Sequence, residues 1–284
     1  MKTSIPATHI TLPAFTEGHE EIRHYFGTRH QRAHRALERA KAKRHARTGP
    51  WMTGRESLDA ALPASVCGSR SIPCVVVSVH QVHGTDILVL DRPVRSQQAF
   101  TGAWDALVTN QPGILLTVRT ADCVPVLIHD PDRHVVAAVH AGWRGAIAGI
   151  IPKTLAVMYR AFGSPARSLH VGIGPSIGPC CYEVDEPVLG PLRTGFPDWS
   201  SVIQETGGER ARLDLGRLVG QQAQSVGVKA ERIWTVRACT VCHPDLFYSY
   251  RRDGVVNGTM VSGIMVTHRL ARTPRRARRM SQHH

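Results

Sequence analysis

The sequence contains no long apolar run, which excludes a protein that crosses a membrane. Its hydrophobic fraction of 42% is ordinary for a globular chain, but no segment approaches the roughly 18 continuous apolar residues of a membrane-spanning helix. The stretch MKTSIPATHITLPAF likewise lacks the apolar core of a secretory signal. We therefore expect a cytoplasmic protein with no membrane partner.

The cysteines do not form the pattern of a disulfide framework. Seven cysteines in 284 residues are an odd number in a long chain, whereas disulfide scaffolds are short and use even numbers. We therefore expect reduced thiols. Cys239 and Cys242 form a C-x-x-C, but Cys180 and Cys181 are too distant in sequence to be assumed its partners. We interpret the C-x-x-C as packing beside the active site, with a redox motif or a zinc knuckle as the alternatives.

The basic charge has no nucleic-acid-binding motif beside it. The net charge is +13, and residues 20–48 and residues 269–279 each carry a balance of +6. No recognition module accompanies either segment, so we interpret them as a solvated helix face and a solvated terminus. Nonspecific binding of RNA through these basic ends is the alternative from a different functional class.

Short apolar runs separated by turn residues fill the sequence after Pro73. Residues 142–162 and 214–226 have the spacing of helices, and Pro152 is expected to kink the first of them. We predict a hairpin between VVVSV and DILVL, and a second one at Asp130-Pro131-Asp132. Strands are predicted at VVVSV, 86–90, 106–110, 114–118, 124–128, 135–139, 169–174, 232–236, 246–251 and 261–268. Many strands and few helices indicate a single α+β domain with layered, mixed sheets.

The charge and the apolar runs divide the chain into three parts. Residues 1–49 are predicted to form a basic N-terminal extension that is helical over 30–47. Residues 50–268 are predicted to form the catalytic domain, and residues 269–284 a flexible basic tail.

Three soft donor side chains lie at the ends of predicted strands, namely His83, Cys123 and His140. Each is flanked by glycine or small residues, and side chains at strand ends can converge on one sheet edge. His83 is preferred over His80 because it lies beside Gly84 in the predicted turn. Two imidazoles and a thiolate suit zinc or copper, and three protein ligands leave a position open, as in catalytic zinc sites. Bound zinc would deprotonate the thiol and lower the pKa of bound water to about 7.

Two neighbours of these residues are candidates for chemistry. Asp122 precedes the cysteine and could transfer a proton or orient a ligand; a turn-capping aspartate is the alternative interpretation. Arg144, between Gly142 and Gly145 at a predicted helix start, could bind phosphate together with nearby backbone amides. The alternative is an ordinary helix start with a surface arginine.

Five motifs carry a resemblance to a known family. QVHGTD, TADCVPVLI, VHAGWRG, IGPSIGPCCYEV and CT-x-C-x-x-x-x-FYSYRRDG occur in this order between about residues 74 and 267. On these motifs the sequence resembles the laccase-domain family, once called multicopper polyphenol oxidases, whose bacterial members are also called peptidoglycan editing factors. The resemblance implies an α/β/β/α layered fold in the laccase-like domain and zinc ligands at His83, Cys123 and His140. Arg29 is carried over from the start of the family's N-terminal segment, but the Asn-Leu-Gly element that usually follows is missing.

The resemblance implies a zinc-dependent purine nucleoside phosphorylase that also has adenosine deaminase activity. The expected substrates are phosphate and adenosine or inosine, with methylthioadenosine as a further nucleoside, and copper is the alternative metal. We expect Asp122, Cys123 and His140 to be catalytic, and Arg29, Arg144 and Tyr250 to bind substrate. Phe247, Tyr248 and Tyr250 are candidates for an aromatic wall against the purine.

Two other chemistries remain open. A metal-free Cys123–His140 pair could act as a nucleophilic hydrolase, which would suit editing of a peptidoglycan precursor. Copper polyphenol oxidation is less well supported, because it requires several copper sites and the sequence offers one cluster of three ligands.

Overall fold

The computed structural model describes residues 8–30, 51–52, 74–94, 99–206 and 209–267. The predicted tail at 269–284 lies outside these residues. So does the predicted helix at 30–47, except for its first residue.

Sixteen strands and five helices are found within the described ranges. The strands are β1 (His9–Ile10), β2 (Ile22–Gly27), β3 (Trp51–Met52), β4 (Val75–Ser78), β5 (Ile87–Leu90), β6 (Ala99–Phe100), β7 (Ala106–Thr109), β8 (Ile114–Thr120), β9 (Val124–Asp130), β10 (Val135–Ala141), β11 (His170–Ile173), β12 (Glu183–Val184), β13 (Ile203–Glu205), β14 (Ala211–Leu213), β15 (Ile233–Thr235) and β16 (Met260–Val266). The helices are α1 (Trp143–Ile147), α2 (Ile150–Phe162), α3 (Glu186–Gly195), α4 (Leu215–Ser225) and α5 (Tyr250–Asp253). None of these helices is long and apolar enough to cross a membrane.

Two large mixed sheets form the centre of the described structure. One has the strand order β1-β2-β16-β8-β4, and the other has the order β15-β11-β9-β10-β7-β5. Most neighbours are antiparallel, but β4 and β8, β5 and β7, and β11 and β15 pair in parallel. Two smaller sheets, β12-β14-β13 and β3-β6, complete the topology. The predicted α+β class with mixed sheets is therefore confirmed.

The two large sheets pack face to face, and helices cover the outer face of the six-stranded sheet. Leu116 of β8, Leu127 of β9 and Ile264 of β16 belong to one apolar cluster between the sheets. Val126 of β9 belongs to a second cluster with residues of α1, α2, α3 and α4. Because both faces of β9 and β10 are covered, every residue of these strands is buried, which explains their continuous rather than alternating apolar sequences.

The predicted hairpin between VVVSV and DILVL is wrong. These runs form β4 and β5, which lie in different sheets and pair in parallel with β8 and β7 respectively. The chain between them crosses from one sheet to the other instead of turning back. The second predicted hairpin is confirmed, since β9 and β10 pair antiparallel around Asp130-Pro131-Asp132.

Two predicted elements around the strands also differ. The helix expected over 142–162 is interrupted at Gly149, whose φ of 81° is left-handed, and not at Pro152. The proline lies in the first turn of α2, where a missing amide costs no helical hydrogen bond. LFYSYR is not a strand, because Ser249 accepts a hydrogen bond from the Arg252 amide and starts α5.

Part of the predicted N-terminal extension belongs to the layered domain. Strand β2 pairs with β16, with Tyr25 opposite Gly263 and Ile22 opposite Val266. Strand β1 pairs with β2 in turn. Residues 8–30 therefore complete the five-stranded sheet rather than precede it, while the other predicted boundaries stay predictions.

A buried histidine of β2, His24, is expected to make the stability of the fold depend on pH. His24 is buried in β2 and its Nε2 accepts a hydrogen bond of 2.9 Å from the Leu12 amide, which requires an unprotonated nitrogen. Burial lowers the pKa of His24 to about 4. The unfolded chain therefore binds a proton at this histidine below about pH 6.5, whereas the folded chain does not bind it until the pH approaches 4. The contribution of His24 to the free energy of unfolding is therefore complete above about pH 6.5 and is lost as the pH decreases toward 4.

We predict that His24→Gln flattens this pH dependence. The glutamine oxygen can accept the Leu12 hydrogen bond, but the side chain does not titrate. Urea denaturation with a chelator present, at about pH 7.5 and about pH 5, should give a smaller loss of unfolding free energy than in the parent protein. The exposed His80→Gln control should retain the parental loss. Equal losses in all three proteins would contradict the assignment.

Candidate metal centre

The β9–β10 hairpin brings Cys123 and His140 together. Ala141 lies opposite Val124 and His140 opposite Pro125 in the antiparallel register. Cys123 directly precedes β9, so the chain leaves the centre along one strand and returns to it along the next. The two residues thus meet at the open end of a single hairpin.

His83 reaches the same place from the segment between β4 and β5. Its ring centroid is 4.8 Å from that of His140 in an edge-to-face arrangement. The ligand atoms of His83, Cys123 and His140 all lie within 4.8 Å of one another. The structure therefore brings the three predicted ligands together in one cluster.

The cluster is open on one side. His140 is buried, Cys123 is half-buried and His83 is exposed. His83 has a φ of 63°, a conformation that non-glycine residues seldom adopt, and it is held there by surrounding contacts. A donor set of two imidazoles and one thiolate with an accessible side fits a catalytic zinc site better than a closed structural one.

Asp105 orients two of the three ligands, although the sequence did not reveal it. Its carboxylate is fully buried, and its Oδ1 accepts a hydrogen bond of 2.7 Å from His140 Nδ1. The same carboxylate accepts hydrogen bonds from the backbone amides of Val82, His83 and Gly84 at 3.3, 2.9 and 2.6 Å. With Nδ1 engaged, Nε2 is the His140 nitrogen that remains for a metal.

The charges within the cluster stabilise one another. Burial alone raises the pKa of Cys123, but the charge and hydrogen bond of His140, with His83, lower it to about 6. Burial alone lowers the pKa of His140, but the Cys123 and Asp105 charges raise it to about 9. Burial also opposes ionisation of Asp105, yet the hydrogen bonds from His140 and from the Gly84 and Val82 amides lower its pKa. The thiol is thus prepared as a thiolate, the form that binds metals.

The glycines of the HAGWRG motif allow close packing around His83. A Cβ at Gly142 would lie 2.7 Å from His83 Cδ2 and 3.2 Å from Cys123 Sγ. A Cβ at Gly145 would lie 2.6 Å from the Gly84 carbonyl oxygen. These contacts explain the two glycines as packing residues, and the predicted binding of phosphate by Arg144 with nearby backbone amides stays a prediction. The helix that follows, α1, has only five residues and offers little aligned dipole.

Asp122 braces the turn that carries Cys123. Its Oδ1 accepts a hydrogen bond of 2.5 Å from the Thr240 hydroxyl, and its Oδ2 accepts one of 2.7 Å from the Arg251 amide. Its carbonyl oxygen accepts a hydrogen bond of 2.9 Å from the Ile177 amide. Both carboxylate oxygens are therefore engaged by the protein, which supports the turn-bracing interpretation. A catalytic role for Asp122 stays a prediction.

Tyr182 is a second residue that the sequence did not reveal. It is buried, and burial together with the Cys123 charge raises the pKa of its phenol, while Arg251 and Arg144 oppose the increase. The Arg251 guanidinium lies 5.1 Å from the Tyr182 ring centroid. Arg144 is exposed and its guanidinium lies 4.3 Å from the Trp143 ring centroid. These contacts give the site a rim with positive charge and an aromatic side chain.

The other predicted substrate-binding residues lie on the 244–250 segment or against it. The Arg29 amide donates to the Leu246 carbonyl at 2.8 Å, and its guanidinium lies 5.0 Å from the Tyr248 ring centroid. Phe247 is fully buried and cannot face a ligand, whereas Tyr250 is 56% exposed and precedes Arg251. The predicted aromatic wall is therefore reduced to the two tyrosines.

Comparison with known proteins identifies the family. The family described as multi-copper polyphenol oxidoreductase laccase matches residues 63–267, and the chain belongs to it. The chain is 37% identical over 207 residues to a purine nucleoside phosphorylase of Bacteroides thetaiotaomicron, covering 70% of this chain and 76% of that protein. It is 36% identical over 194 residues to purine nucleoside phosphorylase YlmD of Geobacillus stearothermophilus, covering 66% and 71% of the two chains.

Solved structures share the fold. The structure of YlmD from Geobacillus stearothermophilus superposes with a TM-score of 0.69 and 26% identity, covering 94% of this chain and 98% of that chain. The structure of the hypothetical protein YfiH from Bacillus licheniformis gives a TM-score of 0.70 at 24% identity, covering 87% and 94%. The layered architecture is therefore common to these proteins.

We predict that Asp105→Asn weakens zinc binding by about 10–100-fold. The amide keeps the size of the side chain but removes the negative charge that fixes the His140 tautomer. Competition with a chromogenic chelator would measure the affinity, and a thermal melt would report whether the variant is folded. The exposed Asp91→Asn variant is the control and should bind zinc like the parent. Unchanged affinity in the Asp105 variant would contradict the proposed orientation of His140.

Proposed function

We propose that this protein is a zinc-dependent purine nucleoside phosphorylase that also deaminates adenosine. Its substrates would be phosphate with adenosine, inosine or methylthioadenosine, in the cytoplasm, where thiols stay reduced. The observation that carries the proposal is the cluster of His83, Cys123 and His140, whose ligand atoms lie within 4.8 Å of one another. The names of the relatives, purine nucleoside phosphorylases, support the same substrate class.

Zinc fits the donor set, and the three clustered side chains would hold it. When bound, zinc supplies a Lewis acid that polarises substrate oxygen and lowers the pKa of water. Copper is the alternative metal, because imidazole and thiolate ligands also suit it and the family description names it.

The protein's own residues would bind and orient the substrates. The exposed Arg144 offers a planar guanidinium that can hold phosphate through two hydrogen bonds. Its place in the chain two residues after Gly142, which packs against His83 and Cys123, supports a location beside the centre. Tyr250 and Arg29 would contact the nucleoside, and Asp122 would hold the Cys123 turn or move a proton. Asp105 would keep the proton of His140 on Nδ1.

A cysteine hydrolase is the second candidate, and Asp105 is the observation that favours it. Cys123, His140 and Asp105 have the order of a nucleophile, a base and a residue that orients the base. The lowered pKa of Cys123 would supply a thiolate at neutral pH. An amide in a peptidoglycan precursor would be a suitable substrate.

The products identify the reaction. We predict that zinc-loaded protein converts inosine and phosphate to hypoxanthine and ribose 1-phosphate, and that adenosine yields inosine without phosphate. Chromatography of the reaction mixtures would detect each product. If neither ribose 1-phosphate nor inosine forms from these nucleosides with fully zinc-loaded protein, the proposed activity is wrong.

His83 distinguishes the zinc enzyme from the hydrolase. We predict that His83→Ala reduces nucleoside turnover by at least about 100-fold, because a first ligand contributes more than the outer partners of a metal site. His83 is not one of the three residues of the candidate hydrolase, in which Cys123 is the nucleophile, His140 the base and Asp105 the residue that orients the base. A metal-free hydrolase would therefore retain most of its activity in this variant. His80→Ala, three positions earlier, is the matched control. Activity that persists in His83→Ala and in the presence of a chelator would favour the hydrolase.

A further inference from the structure

Four cysteines converge at a second place in the structure. Cys180 and Cys181 lie between β11 and β12, and Cys239 and Cys242 lie between β15 and α5. Their four sulfur atoms all lie within 4.8 Å of one another. None of the four belongs to the cluster of His83, Cys123 and His140.

Parallel strand pairing brings the two cysteine segments together. Strands β11 and β15 run side by side, and their pairing continues into the loops that follow. Ser176 forms an isolated parallel bridge with Cys239, and the Thr240 amide donates to the Ser176 carbonyl at 3.0 Å. The Gly178 amide donates to Cys239 Sγ at 3.3 Å. The convergence is therefore built on backbone contacts and not only on the side chains.

The sulfur separations match ligands of one metal ion. Cys242 Sγ lies 3.6 Å from Cys180 Sγ and 3.4 Å from Cys181 Sγ. Zinc–sulfur bonds of about 2.3 Å in a tetrahedron place sulfur atoms about 3.8 Å apart. A disulfide requires about 2.05 Å and joins only two of the four sulfurs. All four cysteines are free thiols.

Apolar packing does not explain these thiols. Free cysteines that act as small hydrophobic residues are among the most buried side chains, whereas Cys180 and Cys242 are exposed. A cavity of about 800 Å³ is lined by Cys180 and Cys239, which gives an ion a path to the cluster. The amide of Gly178 on Cys239 Sγ is the type of outer contact that stabilises a thiolate ligand.

We propose that Cys180, Cys181, Cys239 and Cys242 form a structural zinc site, distinct from the candidate catalytic centre. Four thiolates fill a tetrahedral coordination sphere and leave no position for substrate, which is the signature of structural zinc. Soft thiolate sets also bind iron, so the identity of the metal is part of the test.

The site would fix the segments that support Cys123. The Ile177 amide, three residues before Cys180, donates to the Asp122 carbonyl at 2.9 Å. The Thr240 hydroxyl, between Cys239 and Cys242, donates to Asp122 Oδ1 at 2.5 Å. A metal that joins the two cysteine segments would therefore hold two of the three hydrogen-bond partners of Asp122, in the turn that carries the Cys123 thiol.

Metal analysis of the full chain tests the proposal. We predict that protein purified without chelators, with zinc in the medium, contains two zinc ions per chain. The double variant Cys239→Ser/Cys242→Ser should retain one, and the matched variant His83→Ala should also retain one. Cobalt substitution separates the two sites, because the intense visible absorption of a four-thiolate cobalt site should persist in His83→Ala and disappear in the double variant.

Thiol protection covers the case in which the double variant fails to fold. In His83→Ala protein that has been reduced and freed of metal, zinc should protect Cys180, Cys181, Cys239 and Cys242 from alkylation, as mapped by mass spectrometry. Cys123 marks the other centre and should be much less protected. A parental zinc content that the double variant retains in full, equal alkylation with and without zinc, a mapped disulfide within the cluster, or iron in place of zinc would overturn the proposal. None of these results depends on nucleoside turnover.

Discussion

One buried carboxylate holds the candidate catalytic centre together. Asp105 binds His140 through Nδ1 and the His83 segment through three backbone amides. A fully buried anion is unfavourable unless hydrogen bonds replace its hydration, and these four contacts provide that replacement. The same contacts keep His83 in its left-handed conformation, so removing the charge would release two ligands rather than one.

The sheet topology makes this arrangement available. Ala106 of β7 lies opposite Val139 of β10, so Asp105 stands beside His140 at the edge where the β9–β10 hairpin opens. Gly142 then lets the backbone pass against His83 and Cys123 without a steric clash. The ligands come from separate parts of the sequence, but the strand register and one glycine bring them to a single edge.

Patterns in the neighbouring sequence were sufficient to predict the metal ligands. The residues that were missed have roles that depend on the pairing of strands distant in the sequence. Cys123 and His140 could be found because Cys123 directly precedes one apolar run and His140 follows the next, and the runs themselves identified β9 and β10. Asp105 carries no comparable signal, since its role exists only when β7 pairs with β10. The convergence of the cysteines depends in the same way on the parallel pairing of β11 with β15. LFYSYR is not a strand, because Ser249 caps the short helix α5 that begins at Tyr250.

The two thiol-bearing clusters meet at Asp122. Its carbonyl and carboxylate contact the segments that carry the four clustered cysteines, and the next residue is Cys123. An ion that orders those segments would reduce the freedom of the Cys123 turn before the catalytic ligands bind a metal of their own. Linkage requires the effect to be reciprocal, so each metal would raise the affinity of the other site by the same factor. The structural zinc would then contribute to catalysis by preorganising the thiolate, without any contact with substrate.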